Sequence, residues 1–216
     1  MSPAQPTFSP RLTMRLFGEA EIVVDGSNPV QLPSRRAVWL LGILALRNGQ
    51  PIERQRLAGL IWPDSSDASA LHNLRQTLAG IRRSLGSAAD LLANAFPRSI
   101  LLKTGPEFWV DVIAFDSLSK ESSFSSMEAA VELYRGPLLA GCDEPYLLEE
   151  REAREREYAS LVERLGSRFA SAQDHRKAID AFRRVIATDP YRESAVRALM
   201  SSLVQSGEAA AALELY

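Results

Sequence analysis

The 216-residue sequence has one cysteine and two histidines, and it contains no long apolar run. Cys142, alone, cannot form an internal disulfide and has no Cys/His cluster beside it to hold a metal. His72 and His175 are too far apart in sequence to suggest a shared site, and no Ser/His/Asp set is indicated. The longest apolar stretch, over residues 38–46, is broken by Gly42 and flanked by Arg35, Arg36 and Arg47, well short of the roughly 20 residues that cross a bilayer. The first residues lack the basic and apolar regions of a signal peptide. The run from Gly136 to Gly141 lacks the Lys-Ser/Thr ending and preceding strand of a phosphate loop. These absences point away from an enzyme, a metal or other cofactor and a membrane protein, and toward a soluble cytoplasmic chain.

What is present is charge, unevenly spread. The whole chain carries 25 basic and 27 acidic residues, a net charge of -2 that by itself discourages a nucleic-acid partner. Residues 1–115, however, hold 12 basic and 9 acidic residues, whereas the remainder holds 13 and 18. Between Ala68 and Pro106 the basic residues are Arg75, Arg82, Arg83, Arg98 and Lys103, and Asp90 is the only acid. A basic tract inside an acidic protein is the footprint of a polyanion-binding surface.

The pattern along the chain predicts a flexible leader over 1–13, then strands around Met14–Leu16 and Ala20–Val24 separated from the next segment by Asp25-Gly26. A short strand is expected over 30–32. Ser34 is placed to cap a helix over 35–46, stopped by Asn48-Gly49. A second helix over 54–62 ends at Pro63, and a third runs over 68–85 to Gly86. Two β-prone arms, 100–103 and 108–112, then flank Thr104-Gly105-Pro106-Glu107 and predict a hairpin.

Beyond residue 111 the sequence turns almost wholly helical, with helices expected over 126–134, 144–172, 174–187, 193–205 and 208–216. The alternating charges of 149–157 read as a salt-bridged, solvated face rather than a metal cluster. Trp39, Trp62 and Trp109 read as core or hinge residues, and Tyr146 and Phe169 as packing between helices. Val162, Leu165, Phe169, Ala178, Phe182 and Pro190 follow tetratricopeptide spacing. A shift of about 34 residues, the period of that repeat, carries the first five onto Val196, Leu199, Leu203, Ala212 and Tyr216. The second copy stops within its last helix, so a continuation of the chain or a capping partner is expected.

At about 100° per residue, Leu71, Leu74, Leu78, Ile81 and Leu85 of the third helix form one core-facing stripe. Ser69, His72, Gln76, Ala79, Gly80 and Arg83 lie opposite, with Arg75 and Arg82 flanking and Asn73 and Ser84 on the rim. A polar outer face is also what any solvated amphipathic helix shows. The absence of acids here, two helices before it and a hairpin after it favour a major-groove helix. Arg reads guanine edges, Asn and Gln read adenine, and Ser or His takes phosphates.

The order of strands, three helices and hairpin resembles an OmpR/PhoB-type winged helix. The run Asn73-Leu74-Arg75-Gln76-Thr77-Leu78-Ala79-Gly80-Ile81-Arg82-Arg83-Ser84-Leu85 resembles the recognition helix of the SARP family of antibiotic-pathway regulators. Leu57-Ala58-Gly59-Leu60-Ile61-Trp62-Pro63-Asp64 is similar to that family's second helix and loop. Tyr134-Arg135-Gly136-Pro137-Leu138-Leu139, followed by Glu144-Pro145-Tyr146, looks like the bacterial transcriptional activator domain. The resemblance spans Leu16 to Tyr216.

It implies a mainly α protein with a small β component: a winged helix-turn-helix DNA-binding domain over 14–114, then an α-helical tetratricopeptide-like activator domain over 115–216. It also implies a transcription regulator, an activator, with double-stranded DNA and RNA polymerase as partners. Ser69, His72, Asn73, Arg75, Gln76, Arg82 and Arg83 would meet the groove, Lys103 and Thr104 would lie near the wing tip, and Arg35 and Arg36 would touch phosphate. The loop Pro63, Asp64, Ser65, Ser66 and Asp67 would meet the polymerase. Family members commonly carry Ser-Arg-Leu-Arg where this chain has Ala79-Gly80-Ile81-Arg82, and Glu107 is unfavourable near phosphate. Weak intrinsic affinity or reliance on a homodimer would follow. The helical domain would orient the winged helix, dimerise or take signals. The alternative is a protein-interaction adaptor whose repeats form a peptide groove, or the front part of a larger signal-responsive regulator.

Overall fold

The computed structural model describes residues 9–142 and 144–215. The chain forms two compact units. One holds the described residues up to Ala114 together with Leu133–Leu148; the other holds Phe115–Glu132 and the described residues from Glu149 onward.

In the first unit, β1 (Leu12–Arg15) pairs antiparallel with β2 (Glu21–Val24), and Leu12, Met14, Ile22 and Val24 point into the core. Pro10 is buried and Thr13 already lies in β1, so the expected leader ends earlier; residues 1–8 of it lie outside the described residues. No strand forms over 30–32: only an isolated bridge joins Val23 to Pro29. α1 (Arg35–Leu46) starts where Ser34 accepts the Ala37 N–H at 3.2 Å, a cap worth about 1 kcal/mol. β3 (Ile52–Glu53), α2 (Arg54–Ile61) and α3 (Asp67–Leu85) follow, and Leu74, Leu78, Ile81 and Leu85 of α3 are buried. Leu71 is only half-buried, and Ala70 and Gly80 take the core side instead.

A 3-10 turn (Gly86–Leu91) leads into β4 (Leu92–Phe96), which the sequence pattern did not indicate. β4 pairs antiparallel with β5 (Ser99–Leu102), and β5 also pairs with β3. β6 (Phe108–Val110) joins the other sheet, parallel to β1. The hairpin therefore turns at Pro97-Arg98, and Thr104-Gly105-Pro106-Glu107 is a crossover between sheets. Lys103 and Thr104 stand at the hairpin's base rather than its tip. The physical reason lies in β4 itself: Leu92 alone in Leu-Ala-Asn-Ala-Phe is fully buried and Phe96 is exposed, so the strand shows little apolar alternation.

The tract 133–148 completes this unit. Leu139 N–H donates to the Leu16 carbonyl at 2.7 Å, and Gly18 N–H donates to the Pro137 carbonyl at 2.9 Å. Phe17 and Leu138 bridge antiparallel, and the Tyr134 ring lies 4.8 Å from that of Phe17. Asp111, at the start of α4 (Asp111–Leu118), accepts the N–H groups of Leu16, Phe17 and Val112 and lies 3.8 Å from Arg135.

The second unit is helical. α5 (Phe124–Leu133) and α6 (Pro145–Ser171) precede two antiparallel helical steps, α7 (His175–Thr188) and α8 (Glu193–Gln205), and then α9 (Ala209–Leu213). The repeat positions Ala178, Phe182, Leu199, Leu203 and Ala212 pack in one cluster, joined by Ile179. Tyr216, the last repeat position, lies outside the described residues. Arg192 ties the turn before α8 to Glu163 of α6 at 2.7 Å. Among the described residues no helix is long and apolar enough to cross a membrane.

Candidate nucleic-acid interface

α3 supplies the candidate reading surface. Its N-terminus is fixed by Ser66, whose Oγ accepts the Ser69 N–H at 3.4 Å and donates to Ser69 Oγ at 2.9 Å. The helix begins at Asp67, one residue before the expected start, so it does carry one acid; Asp67 accepts from Gln55 Nε2 at 3.1 Å. Ser69, His72, Arg75, Gln76, Ala79 and Arg83 are exposed along one face, and Asn73 is half-buried at its edge. Arg75 and Arg83 form no ion pair among the described residues.

Three residues assigned to that face or its edges have other duties. Gly80 is buried, and a Cβ there would come within 2.9 Å of Pro33 Cγ, so its lack of a side chain serves packing against α1's entry rather than approach to a groove. Arg82 is half-buried and its Nη2 donates to the Leu92 carbonyl at 3.1 Å, which ties α3 to the hairpin. Ser84 Oγ donates to the Gln31 carbonyl at 3.1 Å. Together with Pro33, this holds the entry to α1 against the C-terminal half of α3; Arg35 and Arg36 follow, exposed, with the Arg35 guanidinium beside Gly141.

A guanidinium cluster lies between α2, α3 and the hairpin. Arg54, first residue of α2, donates from Nη2 to Asn94 Oδ1 at 2.7 Å, and its backbone N–H donates to the Arg98 carbonyl at 2.8 Å. Partial burial, then the nearby charges of Arg82 and Arg75, push the Arg54 pKa down. That cluster has excess positive charge, which is the condition a phosphate relieves. At the hairpin tip Phe96 is 67% exposed, beside the exposed Pro97 and Arg98.

Two acids of this region, Asp90 and Glu107, are occupied. Arg11 binds both Asp90 and Glu107, the latter at 3.0 Å, and this hydrogen bonding to Arg11 holds the Asp90 carboxyl below its usual range. Glu107 thus pairs on the crossover and is not at the wing tip. Lys103 Nζ lies 3.8 Å from Asp90, and Thr104 packs beside Gly49, so both are exposed but away from the turn at Pro97-Arg98. In the loop after α2, Pro63, Asp64, Ser66 and Asp67 are exposed and Ser65 is half-buried.

Arg54 and Asn94 carry no signal in the sequence, and Arg98 stands out there only as part of the basic tract, not as a turn residue. A Pro-Arg dipeptide between Leu92 and Ile100 was the available turn signal, hidden by the stronger Thr-Gly-Pro-Glu turn downstream.

Residues 116–216 match the bacterial transcriptional activator domain. No curated protein matches the sequence. Among solved structures, the chain is similar to EmbR of Mycobacterium tuberculosis in complex with a low-affinity phosphopeptide, with 19% identity and a TM-score of 0.76. The likeness covers 95% of this chain and 58% of that one, and at this identity it shows a shared fold.

Proposed function

We propose that this chain, whose residues 116–216 match the bacterial transcriptional activator domain behind a winged helix, is a SARP-type regulator that binds double-stranded DNA at promoters and activates transcription. The observation that supports the reading is the exposed face of α3, where Arg75, Gln76 and Arg83 stand without carboxylate partners. The guanidiniums of Arg54 and Arg82 lie to one side of that face.

In this reading α3 enters the major groove. Gln76 and Arg83 meet base edges, while Ser69, His72 and Asn73 hold the helix in register against the backbone. Arg54 and Arg75 meet one phosphate, and Arg35 and Arg36 another. The hairpin reaches the neighbouring backbone through Arg98; Lys103 and Thr104 contribute from its base. The exposed loop Pro63–Asp67 meets RNA polymerase, and the helical domain supplies dimer or partner contacts. The division into residues 14–114 for DNA and 115–216 for activation, and the cytoplasmic setting, belong to the same proposal.

The test is selection of bound genomic fragments followed by a salt titration on the fragment recovered. Roughly four phosphate contacts give a log–log slope near about -3.6. Failure to retain any fragment at low salt would overturn the reading.

A further inference from the structure

An open cleft with a volume of about 540 Å³ lies in the second unit. It is lined by Asp116, Ser119, Lys120, Ser122, Glu157, Arg164 and Arg168. That volume is within the range of small-molecule sites, about 300–1,000 Å³. α4 and the turn after it supply one wall, and α6 supplies the other.

The charge of the cleft runs against its surroundings. Residues 116–216 hold 13 basic and 18 acidic residues, yet Lys120, Arg164 and Arg168 have no ion-pair partner among the described residues. Of the two acids in the lining, Asp116 is already neutralised by Arg154 at 2.7 Å, which leaves Glu157. Arg164 and Arg168 are one helical turn apart on the same face of α6, a like-charge spacing that is destabilising unless an anion sits against it. Arg168 is held in place, its Nη2 donating to the Ser122 carbonyl at 2.9 Å. Ser119, almost fully buried, and Ser122 add hydroxyls to the same wall.

We propose that this cleft binds a small phosphorylated molecule. Two guanidiniums and an ammonium offer more charge and more N–H donors than one carboxylate can use, whereas a phosphoryl group presents three acceptor oxygens and close to two negative charges. The rest of the cleft is polar, and Glu157 accepts hydrogen bonds there from hydroxyl or amino groups of the same ligand. The site does not depend on the DNA-binding reading, because none of its residues lies in the winged helix.

Calorimetric titration of the full chain with inorganic pyrophosphate tests the proposal, with inorganic phosphate and citrate as parallel arms. Saturable binding of pyrophosphate is expected, weaker binding of inorganic phosphate, and citrate weaker than pyrophosphate. In Arg164→Gln/Arg168→Gln, pyrophosphate binding should fall at least about tenfold, while Arg156→Gln, which removes an exposed arginine paired elsewhere on α6, should leave it unchanged. Unfolding by circular dichroism confirms that the double variant is folded; should it not be, Lys120→Gln carries the same expectation. Unchanged binding in the folded variants would place the anion elsewhere, for example on the arginines of α3, and overturn the proposal. Citrate binding tighter than pyrophosphate, or a response that sodium chloride reproduces at matched ionic strength, would overturn it too.

Discussion

The Asp111 carboxylate accepts the backbone N–H of Leu16 at 2.8 Å across 95 residues of chain, and so ties the end of β6 to the end of β1. The same oxygen accepts from Val112 and the other accepts from Phe17 at 3.1 Å, so three of the carboxylate's roughly four acceptor sites are used. Asp111→Asn would turn an amide NH2 toward one of these N–H groups. The expected loss is about 1–3 kcal/mol, the cost of leaving a buried donor unsatisfied, read from urea unfolding.

Burial pushes the Asp111 carboxyl up, against the opposing effect of its three N–H donors and Arg135. The folded chain then holds this proton at a pH where the unfolded chain has released it. Stability from this group is full below the ordinary aspartate range, about 3.9, and is lost as pH rises through the raised folded value. Asp111→Asn should lack that decline. A pH series of unfolding midpoints for both chains checks it; parallel curves would show that the carboxyl does not titrate abnormally.

Neighbouring arginines on α3 should behave differently. Arg82 is turned inward onto the Leu92 carbonyl, whereas Arg83 is exposed. Arg82→Ala should lower the unfolding midpoint, because it releases the hairpin, and should weaken DNA binding as a consequence. Arg83→Ala should leave the midpoint unchanged and cost about 1–3 kcal/mol of specific binding, the worth of one good base contact. Fluorescence anisotropy on specific and random duplexes, beside thermal unfolding, separates the two roles. Equal effects on stability would show the assignment of these side chains to be wrong.

The contrast also marks what the sequence could and could not disclose. α1, its Ser34 cap and the core stripe of α3 were legible because strong periodicity and capping chemistry are local. The repeat of Phe182 onto later residues was legible because it recurs at a fixed spacing. Arg82 was not, since only the fold brings the Leu92 carbonyl within reach of a residue that lies beside the polar face. The hairpin was misplaced because its first arm, Leu92–Phe96, has two small alanines and an asparagine between its large apolar residues, and the turn at Pro97-Arg98 is quieter than the crossover at Thr104–Glu107. The motif Tyr134–Leu139 was visible, yet nothing local announces that it pairs with residues 16–18.

Arg98 at the hairpin tip should act through charge alone. Arg98→Ala is expected to weaken binding about equally on specific and random duplexes and to reduce the salt slope by about 1, the signature of one lost phosphate contact. Lys103→Ala, at the hairpin base and close to Asp90, should change the slope less. The reverse ranking would return the tip to the downstream turn.

In the helical unit Gly166 sits tightly against Phe182. A Cβ on residue 166 would come within 2.8 Å of Phe182 Cε1 and within 3.0 Å of Cζ, and Phe182 is itself buried among Leu199 and Leu203. Gly166→Ala therefore cannot gain the helix propensity that alanine normally brings to a helix interior, about 1 kcal/mol. Overpacking is expected to outweigh that gain by about 1–3 kcal/mol. Phe182→Leu alone should also destabilise the unit, since it leaves space beside Gly166. Combined, the two changes should cost less than their sum, because the smaller side chain makes room for the methyl group. Chemical denaturation of the two single variants and the double variant measures that coupling. Simple additivity would mean that α6 and α7 adjust by moving apart rather than by contact at this pair.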